Sequence, residues 1–331
     1  MSKAREKIVI VAIMIVVLII AFCIGLSFGS TKIDIGELID AIRTNQKGLV
    51  VYRVFLYVRL PRVLAAMFAG AALAVSGVII QGVLHNPLAG PNIIGVNSGA
   101  GFGAICAMII FPYKVGSVPV MAFLGALITS LLVYLIALKS KSGKVTIVLA
   151  GVAISSILSA GIDALKTVFP DVIIDSNSFM IGGFSGISIK SLFPAVYYII
   201  FGLLLAMLMA RNIDILGLGE EMAQTLGMNV KLNRFLLIIC SSMLAGAAVS
   251  FCGLLGFVGL IVPHIVRKYT GNNHKLLIPC SALMGASFVI ICDLISRVLF
   301  VPYEIPVGIV MSFIGGPFFI ILLLKGVKYN Q

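Results

Sequence analysis

Tryptophan is absent from this chain of 331 residues, histidine occurs three times, and Asp, Glu, Lys and Arg together make up only 11% of it. With so little charge, no tract is polar and long enough to fold as a separate water-soluble domain, so residues 1–331 read as one domain. The histidines, His85, His264 and His274, are scattered and form no H-E-x-x-H pair. All six cysteines (Cys23, Cys106, Cys240, Cys252, Cys280, Cys292) lie inside apolar runs without metal-ligand spacing, which excludes a disulfide framework and leaves packing as their role. A phosphate-cradling loop is also missing. Ser142-Gly143-Lys144 has no Gly-rich lead-in, and Gly99-Ala100-Gly101-Phe102-Gly103 sits within an apolar run rather than after a strand. Close helix packing is the reading for those glycines. No catalytic set and no cofactor or metal site follows for this chain, so the expectation is a protein that is not an enzyme.

What the chain has is apolar length. It is 60% hydrophobic with a mean hydropathy of +1.17, and a bilayer-spanning helix needs only about 20 mostly apolar residues. Such stretches fall near 8–28, 60–83, 92–111, 117–138, 145–168, 191–210, 235–251, 253–266, 276–300 and 306–325. The first follows Lys3, Arg5 and Lys7 like a signal peptide, but it is too long for an h-region and lacks a clean small-x-small end. It reads as the first membrane helix. From Phe235 to Val266 no side chain is ionised, and basic residues flank the run on both sides (Lys231 and Arg234, then Arg267 and Lys268). Cytoplasmic loops collect Lys and Arg, so the run crosses twice, turning near Phe251-Cys252-Gly253. The expected fold is all-α: a polytopic membrane protein of ten transmembrane helices with both termini cytoplasmic.

The net charge of +12 does not indicate nucleic acid, because the basic residues are spread through short loops. Ten of the 24 fall outside on this topology, six of them between Lys32 and Arg62. That local exception needs a reason. Arg59-Leu60-Pro61-Arg62 opens the second helix, and Asp293 and Arg297 stand one turn apart at the outer end of the ninth. The bland alternative for the latter two is an interfacial ion pair worth a few tenths of a kcal/mol. The functional reading joins Arg297 to Arg59 and Arg62 as a basic external patch for an acidic partner. The outer loop from Thr31 to Tyr57 adds an amphipathic patch of Ile33, Ile35, Leu38, Ile39 and Ile42.

Two further segments stand out. Gly151, Ser155, Ser159, Asp163 and Thr167 recur at every fourth residue, hence on one helical face. An ionisable residue in a membrane span faces the bundle interior or a wet cavity, which favours a translocation path over a packing stripe with Asp163 and Lys166 paired. On the cytoplasmic side, Leu218-Gly219-Glu220-Glu221-Met222-Ala223 with Leu226-Gly227 forms a short helix bracketed by glycines. Acidic residues suit its N-terminus and Gly227 its left-handed stop. An interfacial connector and a rigid knob for a cytoplasmic partner stand even on pattern alone.

Together these segments resemble the FecCD-type permeases, the membrane subunits of ABC importers for iron–siderophores, haem and cobalamin. The resemblance is carried by Arg59-Leu-Pro-Arg62, Gly70 to Gly77, Gln81, Asn86-Pro-Leu-Ala89, Leu149 to Ala153, Met180-Ile-Gly-Gly-Phe184, Leu218 to Gly227, Gly256 to His264 with Arg267, Glu304-Ile-Pro-Val-Gly308 and Gly315-Gly-Pro-Phe318. It implies a multi-pass protein of the bacterial plasma membrane. It further implies a second permease subunit, two cytoplasmic ATPases holding ATP and Mg, and an external binding protein that delivers a metal chelate. The Leu218–Gly227 segment (Leu218, Gly219, Glu220, Glu221, Ala223, Leu226, Gly227) would seat in the ATPase. Arg59, Arg62 and Arg297 would meet the binding protein, and the fifth helix with Ser155, Ser159, Asp163 and Thr167 would line the path. An iron–siderophore is the leading cargo, with haem or cobalamin the alternative. The rival of another class is an ion-gradient-driven transporter, for which only Asp163 offers an acidic relay.

Overall fold

A computed structural model describes residues 3–29, 36–37, 40, 43–44, 49–114, 116–140 and 143–324. The amphipathic patch at Ile33, Ile35, Leu38, Ile39 and Ile42 lies outside the described residues. Among the described residues, thirteen bounded α-helical segments follow one another: α1 (Lys3–Ser27), α2 (Val50–Leu84), α3 (Val96–Ile110), α4 (Ser117–Lys139), α5 (Gly143–Val168), α6 (Ile173–Ile181), α7 (Ile189–Leu208), α8 (Ala210–Leu216), α9 (Glu220–Thr225), α10 (Val230–Cys252), α11 (Val258–Thr270), α12 (His274–Val298) and α13 (Val307–Leu324).

Eight of these are long and apolar enough to cross a membrane. At a rise of about 1.5 Å per residue, α3 and α11 span only ~20 Å and fall short of the ~30 Å hydrocarbon core. Non-helical chain completes both. Before α3 comes a 3-10 turn, Pro91–Ile94, closed by Gly95 at φ 77°. Before α11, residues 253–257 run irregularly from Gly253, at φ 70°. Exposed backbone at this depth is tolerated only under protein cover. Here Gly183 N–H donates to the Cys252 carbonyl (2.8 Å) and Leu254 N–H to the Phe179 carbonyl (3.0 Å). The expected spans 92–111 and 253–266 are therefore each part helix, part covered irregular chain. The turn after Cys252 stands as read, and eight full-length apolar helices with these two composite segments approximate the ten expected spans.

The central helix is α2, packed against α10, α11 and α12 and almost wholly buried along its membrane stretch. Small residues let this happen. Ala65, Ala66, Ala69 and Ala74 are fully buried, and a Cβ on Gly70 would strike the Gly285 carbonyl of α12. The Gly99–Gly103 stretch serves the same end, since Cβ atoms there would strike the Gly125 and Met121 carbonyls of α4. Pro263 breaks the hydrogen-bond ladder inside α11 and frees the carbonyl of Gly259 four residues earlier. The side-chain amide of Gln81, on α2, donates to that carbonyl (3.2 Å), and the Gln81 Oε1 accepts from Arg267 Nη2 (2.9 Å).

Candidate functional sites at the two membrane faces

At the outer face, the first α turn of α2, Val50–Arg53, passes into a π segment, Val54–Arg59, in which the N–H of Leu60 reaches back five residues to the Phe55 carbonyl. Pro61, next in line, has no N–H to continue the ladder. The segment carries Arg59 toward the C-terminus of α1, where its Nη1 donates to the carbonyls of Leu26 (2.8 Å) and Ser27 (2.6 Å). Arg297 donates to two more, those of Gly25 (3.2 Å) and Phe28 (3.3 Å). Helix C-termini leave carbonyls unpaired and carry partial negative charge, so two guanidinium groups cap α1 here.

Arg62 turns the other way. Its Nε lies 3.0 and 3.2 Å from the two Asp293 oxygens, and its Nη1 is 2.7 Å from Glu304 Oε2. Arg297 Nε completes the group at 3.1 Å from Asp293 Oδ2. Arg59, Arg62 and Arg297 are thus brought together, as the sequence predicts, but turned inward, at 3%, 7% and 3% exposure. This corrects the expected exposed patch. The interfacial-pair reading of Asp293 and Arg297 is corrected too, because Asp293 is 1% exposed and shared by two arginines. The physical reason is compensation. Two carboxylates and the α1 carbonyls give the guanidinium groups charge-assisted bonds in place of those to water. The signal missed in the sequence was Glu304, whose partner is 242 residues away.

On α5, Gly151 is buried against the 3-10 turn, where a Cβ would strike the Ile93 carbonyl. Ser155 is half-buried and accepts a bond from Ser98 Oγ on α3 (2.7 Å). Ser159, Asp163 and Thr167 are exposed. Lys166 Nζ donates to Asn177 of α6 (3.2 Å), not to Asp163 as the packing alternative would have it. The outer half of this face is polar, and its inner end is apolar through exposed Leu149 and Val152.

At the cytoplasmic face, α9 starts from Gly219 at φ 105° and stops at Gly227, φ 79°, where Met228 N–H bonds the Ala223 carbonyl (3.0 Å). Glu220 and Glu221 occupy its first turn. Glu220 is bound by Arg234 Nη2 of α10 at 2.5 Å, and Ala223 is buried. Leu218, Met222 and Leu226, four residues apart, stand 62%, 55% and 60% exposed. Met222 belongs with the other two, and its fourth-residue spacing was the signal for it. The preceding α8 is clamped from two sides. His85, at the left-handed C-cap of α2, donates Nε2–H to the Leu216 carbonyl. His274, at the start of α12, meets Asp214 Oδ1 through both its Nδ1 (2.6 Å) and its backbone N–H (3.1 Å). The segment Leu218–Gly227 is a rigid projection from the core.

Comparison with known proteins agrees with this architecture. The Fe(3+)-citrate import system permease protein YfmE of Bacillus subtilis is 35% identical over 324 residues, covering 97% of this chain and 96% of the relative. The hemin transport system permease protein HmuU of Yersinia pestis is 36% identical over 283 residues, covering 83% of this chain and 84% of the relative. A solved structure described as an inward-facing ABC transporter, assigned to the metal-chelate type, superposes with a TM-score of 0.86. Its sequence is 31% identical, and the match covers 96% of this chain and 99% of that one. The model of the FecCD transport family matches residues 17–325, and this chain, a multi-pass membrane permease, belongs to that family.

Proposed function

We propose that this chain is the membrane-spanning subunit of an ATP-driven importer of a ferric siderophore or a similar metal chelate in the bacterial plasma membrane. The observation that carries the reading is the α8–α9 projection. It presents an apolar stripe and an acidic helix start toward the cytoplasm from a chain that has no phosphate-cradling loop of its own. Such a knob fits a groove on a separate ATPase, two copies of which would hold ATP and Mg. The cargo class rests on the relatives, which carry ferric citrate and hemin by their names; cobalamin is carried by another at 39% identity over 267 residues.

The open face of α5 supports a second permease subunit, identical or related. Ser159, Asp163 and Thr167 would be costly against lipid, so the face meets water or another copy along a central path. Delivery by an external binding protein fits the outer face. There the buried arginine cluster holds α1, α2, α12 and the chain carrying Glu304 in register beneath the docking surface. The reading is tested by reconstituting the permease with the ATPase and binding protein encoded beside it. ATP-dependent uptake of a radiolabelled ferric chelate into vesicles is expected. Uptake that persists without the ATPase and follows an ion gradient would overturn it.

A further inference from the structure

We propose that α2 and α12 form one lever between the two membrane faces, and that His85 and His274 are the positioning residues joining it to the α8–α9 projection. The inference rests on the reading of that projection as the seat of an ATPase. Three elements meet at Gly82, near the C-terminus of α2. A Cβ there would lie 2.3 Å from Ile213 Cγ2 of α8 and 3.6 Å from His274 Nε2 of α12. The last residues of α8 are then tied to both neighbours. His85 Nε2 bonds the Leu216 carbonyl (2.5 Å), while Asp214 Oδ1 accepts from the His274 ring and backbone N–H. His274 Nε2 is buried without a partner, so the bond to Asp214 is what its ring contributes among the described residues. Both ties fall at the end of α8 from which the segment to α9 departs. A displacement of α9 therefore reaches α2 and α12 directly.

The two helices are built to move as one body. A Cβ on Gly70 would lie 2.2 Å from the Gly285 carbonyl oxygen, and one on Gly285 would lie 2.4 Å from that of Gly70. Backbone packed on backbone leaves no long side chains to re-pack at the crossing, and a close-packed interior transmits strain. At the outer end, Arg62 of α2 binds Asp293 of α12, which Arg297 also holds. The stretch of α2 from Arg62 to Gly82 is about 30 Å long at a rise of ~1.5 Å per residue, the thickness of the hydrocarbon core. One rigid pair thus joins the projection inside to the braced surface outside. The rival route is α10, where Arg234 holds Glu220 and Asn233 accepts from Asn212 of α8.

The test places the permease and the ATPase encoded beside it in nanodiscs and measures docking of the binding protein with and without a non-hydrolysable ATP analogue. Coupling between two sites is a ratio of affinities, and a relay residue changes it without touching either ligand. In the wild type the analogue should change the Kd of the binding protein. His85→Leu and His274→Leu should each shrink that change about fivefold. ATPase retention should be kept, because Leu218, Met222 and Leu226 are untouched. His85→Gln and His274→Asn hold an N–H donor at the reach of the imidazole nitrogen and should restore the coupling. Gly82→Ala leaves both imidazoles in place but wedges Ile213 away from α2, so it should weaken the coupling too. That variant keeps the test decisive if a Leu variant fails to assemble. Unchanged coupling in the assembled variants would overturn the proposal and assign the relay to α10. So would a wild type that imports with ATP but docks its binding protein regardless of nucleotide. Absence of ATP-driven uptake in the wild type would instead remove the importer reading, and the lever with it.

Discussion

Arg62 and Asp293 face each other across α2 and α12, one guanidinium nitrogen lying 3.0 and 3.2 Å from the two carboxylate oxygens. Removing one member of a buried pair leaves an uncompensated charge and costs about 3–5 kcal/mol. Asp293→Asn should therefore lower the thermal midpoint of the purified permease markedly. Replacing Arg59 and Arg297 by Glu should cut the yield of folded protein, since each carboxylate would then face α1 carbonyls. An unchanged midpoint and yield would show that the cluster does not brace the outer face.

Gln81 substitutes for the hydrogen bond that Pro263 denies to Gly259. Gln81→Leu should cost roughly 1–3 kcal/mol by leaving a buried carbonyl unpaired. Adding Pro263→Ala restores a backbone N–H four residues on and should recover part of that loss. Thermal unfolding of the single and double variants measures both steps, and an additive further loss in the double would rule the mechanism out.

The α9 projection should bind its partner through Met222 more than through Glu220, which is held by Arg234. Met222→Ala should weaken ATPase retention by about 2 kcal/mol, the scale of an interface hot spot. Glu220→Lys with Glu221→Lys should also reduce co-purification, through charge reversal and loss of the Arg234 pair. Membrane insertion should persist in each case. Retention of the ATPase at wild-type level by both variants would remove α9 from the interface.

Cysteine at position 159 should react with small aqueous thiol reagents faster than cysteine at 155, because Ser159 is exposed and Ser155 is half-buried against Ser98. The exposed native Cys23 must first be replaced. Nucleotide should change the rate at Ser159→Cys by changing access to the path. Inertness in every state would assign the stripe to packing between subunits.

The membrane topology was legible in the sequence, because span length, hydropathy and loop charge are local quantities that add along the chain. The same holds for α9, whose acidic start and closing glycine need only neighbours in sequence. Only the tertiary structure decided which way the arginines point. Arg62 turns inward because Asp293 and Glu304 arrive from residues 231 and 242 positions away. Arg59 and Arg297 turn inward because the C-terminus of α1 offers carbonyls that need donors. Spacing marks where an arginine sits on its own helix, but its energy is set by the acceptors that folding brings to it.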